Sequence, residues 1–136
     1  MVKYLRIILT GVGKTSVASS IATALNRKFA RISLSGFQSD YTSELKGHHY
    51  TYTAAKPGQF VKVLRQTGVM NPVILLDEID KIGVAEGSTL LEALDPVQNK
   101  GFTDKYVGDM VDLSQCLFIV SSARVFVKDF NGFMLG

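Results

Sequence analysis

The sequence predicts an α/β fold in which helices cover both faces of a parallel sheet. Two continuous apolar runs, within Pro72–Gly83 and Cys116–Ser121, have the length of buried strands and are too short for ordinary helices. Thr15–Phe29 instead repeats its apolar residues at the spacing of an amphipathic helix. Strands that alternate with helices along a chain are typical of a parallel sheet between two helical layers.

The first predicted elements are a strand, a helix and a second strand. The strand covers Tyr4–Leu9, the helix Thr15–Phe29 and the second strand Ala30–Leu34. The helix is expected to bury one stripe with its flanking residues, namely Val17, Ile21, Leu25, Ala18, Ala22 and Phe29. The second strand alternates and is expected to be half exposed, with Ile32 and Leu34 inward and Arg31 and Ser33 outward.

The later elements continue the alternation. They are a helix from Pro57-Gly58 to about Thr67, a buried strand over Val73–Leu76 and another over Cys116–Ser121. Between these two strands, Thr89 and Glu92 have the spacing of a capping box, which predicts the start of a short helix. That helix is expected to run through Leu94 and to stop at Pro96.

The composition is that of one globular domain. The chain has 136 residues, of which 46% are hydrophobic and 20% charged. Its net charge of +3 includes no run of lysine or arginine, so nucleic-acid binding is not indicated. No apolar stretch has transmembrane length. The single cysteine, Cys116, excludes an internal disulfide and suits a reducing intracellular compartment.

A glycine-rich turn opens the first helix and has the composition of a phosphate-binding loop (P-loop, or Walker A motif). Gly11 and Gly13 allow the backbone to approach a phosphate, where N–H groups at a helix N-terminus bind it. Lys14 would place its charge near the β and γ phosphates, and the Thr15 hydroxyl would ligate Mg²⁺. The predicted nucleotide-binding residues here are Thr10, Gly11, Val12, Gly13, Lys14, Thr15 and Ser16.

Two adjacent acids, Asp77 and Glu78, follow the buried strand in the manner of a Walker B motif. Asp77 is predicted to hold the same Mg²⁺ through water, because magnesium gives up its hydration reluctantly. Glu78 is predicted to be the catalytic base that polarises an attacking water. Both motifs follow strands, and ligands of parallel sheets bind at the carboxyl ends of strands, so one site is expected.

One position departs from the full phosphate-loop pattern, G-x-x-x-x-G-K-[ST]. Its first glycine falls at Ile8. A β-branched residue resists the turn that glycine makes there. The sequence therefore predicts a loop of altered shape and reduced affinity.

Several longer stretches extend beyond the two nucleotide motifs. They are GVGKTS, ALNRKF, KGH, NPVILLDEIDKIG, LLEALDP with Gln98-Asn99, and DLSQCLFI. With these stretches the chain resembles, from Gly11 to Ala123, the AAA+ ATPase module of Lon, the ATP-dependent serine protease. The stretch FTDKY followed by DLSQCLFI is most similar to the peroxisomal branch, with the mitochondrial branch second.

The resemblance implies a P-loop NTPase fold, the AAA+ large subdomain, that binds ATP and Mg²⁺ with Lys14, Thr15, Asp77 and Glu78 in the roles given above. It also implies a homo-hexamer that moves unfolded polypeptide through a central pore. The loop that lines the pore corresponds to Gly47–Gly58, and its aromatic residue to Tyr52. A peroxisomal matrix location is implied first and a mitochondrial matrix second.

Other family features have no counterpart here. The asparagine that senses the γ-phosphate falls at Ala123, and Arg124–Gly136 lacks the segment with the arginine that acts on a neighbouring subunit. The helical lid and the protease domain are not found. The expectation is a single partial AAA+ nucleotide-binding domain over 1–136, with divergent ends at 1–10 and 124–136.

Three functions remain open at this point. The first is the ATPase module of a Lon-type protease that degrades misfolded or damaged proteins, present without the protease domain. The second is a non-catalytic, degenerate Lon-like subunit that binds nucleotide weakly or binds only partner subunits. The third is another P-loop enzyme, a GTPase or small-molecule kinase. The GTPase motif Asn-Lys-x-Asp is not matched, since Asn99-Lys100 precedes Gly101-Phe102.

Overall fold

A computed structural model describes residues 8–9, 13–34, 45–49, 55–79 and 84–121 of the chain. Several sequence predictions lie outside the described residues: those for Tyr4–Ile7, Thr10, Gly11, Val12, Tyr52, Ala123 and Arg124–Gly136. In the described part no helix is long and apolar enough to cross a membrane.

The fold is α/β, built on a four-stranded parallel sheet. In chain order the described elements are β1 (Ile8–Leu9), α1 (Lys14–Ala24), β2 (Phe29–Ser33), α2 (Gln59–Thr67), β3 (Val73–Asp77), α3 (Val84–Leu94), a 3₁₀ turn (Asn99–Gly101), β4 (Phe102–Asp104), β5 (Asp109–Val111) and β6 (Leu117–Ser121). The strand order in the sheet is β1–β6–β3–β2, and β4 and β5 form a separate antiparallel hairpin. β3 is therefore paired on both sides, with β2 and with β6.

Helices cover both faces of this sheet, as predicted. Alternate residues of the central strands, Val73, Leu75 and Ile119, pack with buried alanines of α1. The residues between them face the larger core cluster, which includes side chains of α2, α3 and the hairpin. Phe60 of α2 makes edge-to-face contacts with Phe102 and Phe118, at centroid distances of 5.3 and 5.9 Å. These contacts connect the hairpin to the sheet through one aromatic ring.

The first helix differs from the prediction at its end and on its buried face. It ends at Ala24 rather than Phe29, because Asn26 takes a positive φ of 55° and the chain turns into β2. The predicted stripe is only partly right: Val17 and Leu25 are 46% and 50% exposed, whereas Ile21 is partly buried against the core cluster of α1. Ala18 and Ala22, predicted as flanks, are the buried residues. Because their side chains are small, the helix backbone lies close to the sheet.

The capping-box prediction was wrong. α3 begins at Val84, so Thr89 and Glu92 lie inside the helix and not at its start. α2 and the two buried strands form close to their predicted positions. The hairpin β4–β5 was not predicted. Its strands have three residues each, too short to show a periodic pattern.

Candidate nucleotide site at the carboxyl edge of the sheet

The two predicted halves of the site meet at the carboxyl edge of the sheet. Lys14 is the first residue of α1, and its Nζ lies 3.9 Å from Oδ1 of Asp77, the last residue of β3. In the β2–β3 register Asp77 is paired with Ser33, and Leu75 with Arg31. Leu75 packs against the α1 side of the sheet, so alternation also places Asp77 on that side. The fold itself thus brings the lysine to the carboxylate.

Gly13 precedes the helix with φ 87°, a left-handed conformation that glycine adopts without strain. Among the described residues, no heavy atom other than its chain neighbours lies within 4 Å of the position a Cβ would occupy. The first turn of α1 contains no acidic residue, and no side chain of the described residues caps its N-terminus. The backbone N–H groups at the start of a helix and the space beside Gly13 suit an anion.

Three side chains surround the Asp77 carboxylate, which is 5% exposed. The Ser121 hydroxyl donates a hydrogen bond to Oδ1, the oxygen that faces Lys14. Arg31 donates from Nε to Oδ2 at 2.9 Å, and a second time from its terminal nitrogen at 2.5 Å. Each carboxylate oxygen therefore has its own partners.

These contacts lower the pKa of the Asp77 carboxyl group. Burial raises its pKa, but the hydrogen bonds from Ser121 and Arg31 and the charges of Arg31 and Lys14 outweigh burial and hold the pKa below 3.8. Asp77 is accordingly a carboxylate at neutral pH. A negatively charged oxygen ligand is what Mg²⁺ prefers.

Glu78 follows in a backbone conformation that is rare outside glycine, with φ 62°. Its N–H donates to the Ser121 hydroxyl at 3.4 Å, and its carboxylate accepts a hydrogen bond from the Ser33 hydroxyl at 3.3 Å. The turned backbone thus leaves Glu78 beside the end of β2. Left-handed residues of this kind concentrate at functional sites.

The structure brings together Lys14, Asp77 and Glu78. Gly13 precedes Lys14, and Thr15 and Ser16 lie in the first turn of α1 with exposed side chains. The site residues that sequence reasoning missed are Arg31, Ser33 and Ser121, all in or at the ends of neighbouring strands. Alternation along β2 places Arg31 on the same side as Ser33, near the strand end, but it does not say which strand lies beside β2.

The donor set fits a magnesium nucleotide. A lysine, free helix N–H groups, a threonine hydroxyl and an ionised aspartate are the groups that phosphates and Mg²⁺ require. One residue of this site departs from the phosphate-loop pattern. Ile8 stands where the pattern has its first glycine, and in the structure it belongs to β1 and pairs with Val120. The strand thus extends through that position.

A second feature lies at the two described ends of the segment predicted to be the pore loop; Tyr52 itself lies outside the described residues. Gly47 has φ 80°, and a Cβ there would meet the Gly58 nitrogen at 2.7 Å. The His48 N–H donates to Lys56 O at 3.0 Å. The Gly58 N–H donates to Oδ2 of Asp104 at 2.8 Å. The two ends of the loop are therefore in direct contact and are held by the hairpin.

The family of the chain follows from comparison with known proteins. Residues 9–130 match the family described as "ATPase family associated with various cellular activities (AAA)". The chain belongs to this family of ATPases, which agrees with the parallel sheet and with the phosphate-loop and acidic motifs at its edge.

Within that family the similar proteins are Lon proteases. The Lon protease of Fervidobacterium nodosum is 52% identical over 116 residues, which is 82% of this chain and 14% of that protein. Lon protease 2 of Thermus thermophilus is 50% identical with the same coverage. The Pichia angusta protein named "Lon protease homolog 2, peroxisomal" is 55% identical over 117 residues, 82% of this chain and 12% of that protein. The chain thus spans about one-seventh of the first two relatives.

Proposed function

We propose that this chain binds ATP with Mg²⁺ and hydrolyses it, as the ATPase module of a Lon-type ATP-dependent protease. The observation that carries the proposal is the approach of Lys14 to Asp77, 3.9 Å apart although they are distant in sequence. The similarity to Lon proteases over 82% of the chain supports the same function.

Each residue has a role that its position allows. Lys14 and the N–H groups of α1 would bind the phosphates, with Gly13 leaving room for them. Thr15 and Asp77 would hold Mg²⁺, which when bound neutralises the charge of the transferred phosphate. Glu78 would accept a proton from the attacking water, and the Ser33 hydroxyl would orient its carboxylate.

The same proposal extends to partners and location. The loop between Gly47 and Gly58 would carry Tyr52 to unfolded polypeptide in the pore of a homo-hexamer. Its joined ends support this, because a loop anchored at its base transmits a movement of the domain to its tip. The similarity to a peroxisomal relative supports the peroxisomal matrix, with the mitochondrial matrix as the second choice.

The non-catalytic alternative has less support. A degenerate subunit would have no need of an ionised Asp77 beside Lys14, or of a Glu78 held in a rare backbone conformation. No described contact favours it over the ATPase.

The first test is nucleotide binding by the whole chain. We expect a fluorescent ADP analogue with Mg²⁺ to bind at micromolar concentration, and Lys14→Ala to abolish binding because the phosphates lose their lysine. Lys28→Ala is the matched control, since Lys28 is an exposed lysine just before β2, at the opposite edge of the sheet. Binding that is equal in wild type and Lys14→Ala would contradict the proposal.

A second arm separates hydrolysis from binding. Glu78→Gln should keep the binding of the analogue and lose ATP turnover, measured as released phosphate, if Glu78 is the base. Turnover that survives in this variant would remove Glu78 from the mechanism while leaving nucleotide binding intact.

A further inference from the structure

Arg31 contacts the Asp77 carboxylate although it belongs to neither the phosphate loop nor the acidic pair. Both of its hydrogen bonds to Asp77 end on the same oxygen, Oδ2. The other oxygen, Oδ1, is left to Ser121 and Lys14. Two donors on one oxygen fix the rotation of the carboxylate about its bond to the chain. Oδ1 is thereby the oxygen that faces the start of α1.

We propose that Arg31 is a positioning residue that sets the orientation of the Asp77 carboxylate for Mg²⁺-dependent nucleotide binding. This inference rests on the proposed function and adds to it a residue from a different strand. Arg31 would act only through Asp77, with no contact to nucleotide of its own.

The register of the sheet explains why an arginine is needed at this position. Arg31 is paired with Leu75, so its side chain must reach along the strands to the residue two positions beyond. Lysine has the length but carries one ammonium, whereas the guanidinium presents Nε and a terminal nitrogen together. The fork matches the geometry observed at Oδ2.

A role in stability accounts poorly for this pair. The Arg31 side chain is 45% exposed, whereas that of Asp77 is 7% exposed. Solvent around the exposed guanidinium screens its attraction to the carboxylate and so limits what the pair contributes to folding. The aspartate is the ordered, buried partner, and the arginine approaches it from solvent. That arrangement suits a residue that hydrogen-bonds to a metal-ligating carboxylate and holds its orientation while remaining partly exposed itself.

The test is a Mg²⁺ titration of the fluorescent ADP analogue bound to the whole chain. For Arg31→Met we expect a rise of about 10- to 100-fold in the Mg²⁺ concentration that gives half of the maximal binding of the analogue. This is the usual cost of losing a residue that hydrogen-bonds to a metal ligand. The affinity for the analogue in EDTA should not change, because Arg31 does not contact nucleotide. Arg31→Lys should restore part of the loss, and the melting temperature of both variants should stay close to that of wild type.

Arg65→Met is the matched control, since it removes an exposed arginine from the end of α2 with the same change in charge. An unchanged Mg²⁺ requirement in Arg31→Met would overturn the proposal, as would an equal loss with Mg²⁺ and in EDTA. Wild-type protein that binds the analogue without regard to Mg²⁺ would also overturn it, and would leave nucleotide binding standing. Failure of the wild type to bind at all would instead refute the proposed function, and the role of Arg31 with it.

Discussion

Two buried aspartates, Asp77 and Asp104, are held in opposite ways. Within the described residues, the Asp104 carboxylate accepts hydrogen bonds from three backbone N–H groups: Gly58 at 2.8 Å, Tyr106 at 3.0 Å and Val107 at 2.9 Å. Asp77 is held by side chains, those of Arg31, Ser121 and Lys14. Backbone donors cannot leave unless the chain itself opens, whereas side-chain donors can rotate away. Asp104 is therefore a fixed joint between the hairpin and the loop base, whereas the contacts of Asp77 depend on the conformations of its partner side chains.

The largest effect is expected at the fixed joint. In Gly58→Ala the new Cβ would lie 2.0 Å from the Leu45 carbonyl oxygen, a backbone atom that cannot move aside alone. We expect a loss of about 3 kcal/mol or more in the free energy of unfolding, measured in urea.

Gly68→Ala is the control for Gly58→Ala. Gly68 has φ 72° and open space around it among the described residues, so its cost should be only the conformational one, about 1 kcal/mol. If Gly58→Ala and Gly68→Ala lowered the free energy of unfolding equally, the close packing of Gly58 against Leu45 would be contradicted.

A smaller but still large effect is expected when the charge of the joint is removed. Asp104→Asn keeps the shape of the side chain but replaces an acceptor with a donor, so at least one buried N–H loses its partner. The free energy of unfolding should fall by about 2–3 kcal/mol.

The control for Asp104→Asn lies in the same hairpin. Asp109 is exposed, and in the described part of the chain its carboxylate accepts from the adjacent Met110 N–H. Asp109→Asn should therefore stay within about 0.5 kcal/mol of wild type. If Asp104→Asn lowered the free energy of unfolding as little as Asp109→Asn, the difference drawn between Asp104 and Asp77 would be wrong.

The smallest effect concerns Asp77 and depends on pH. Its pKa in the folded protein is below 3.8, so it adds stability above its ordinary pKa, and this stability is lost as the pH falls through the lowered value. Thermal melts between about pH 6 and about pH 2 should therefore show a shallower acid loss in Asp77→Asn than in wild type. Parallel curves would mean that Arg31 and Ser121 do not favour the ionised form.

The parts of the molecule that depend on local sequence were predictable. The strands β3 and β6 are apolar runs. Two recognisable motifs contain Asp77, at the end of β3, and Lys14, at the start of α1. The contact of Arg31 with Asp77 depends on β2 lying beside β3, which no local pattern states. The start of α3 was missed because Gly87, a poor helix former, lies inside the helix.

The buried face of α1 was mispredicted for a related reason. Hydrophobicity ranks Val17 and Leu25 above alanine, but the closeness of helix and sheet selects the smaller side chain. The distance between the helix and the sheet depends on the whole fold, so it cannot be predicted from the hydrophobic pattern of one helix.

That closeness has a consequence for the site. Ala18 and Ala22 pack against Val73, Leu75 and Ile119 of the sheet, and so they set how far the axis of α1 stands from β3. That spacing in turn sets how far Lys14 stands from the Asp77 carboxylate. Two alanine methyl groups, one and two turns after Lys14, therefore act as a spacer between the helix and the sheet. The separation of the two charged groups at the sheet edge is set in the buried interior of the protein.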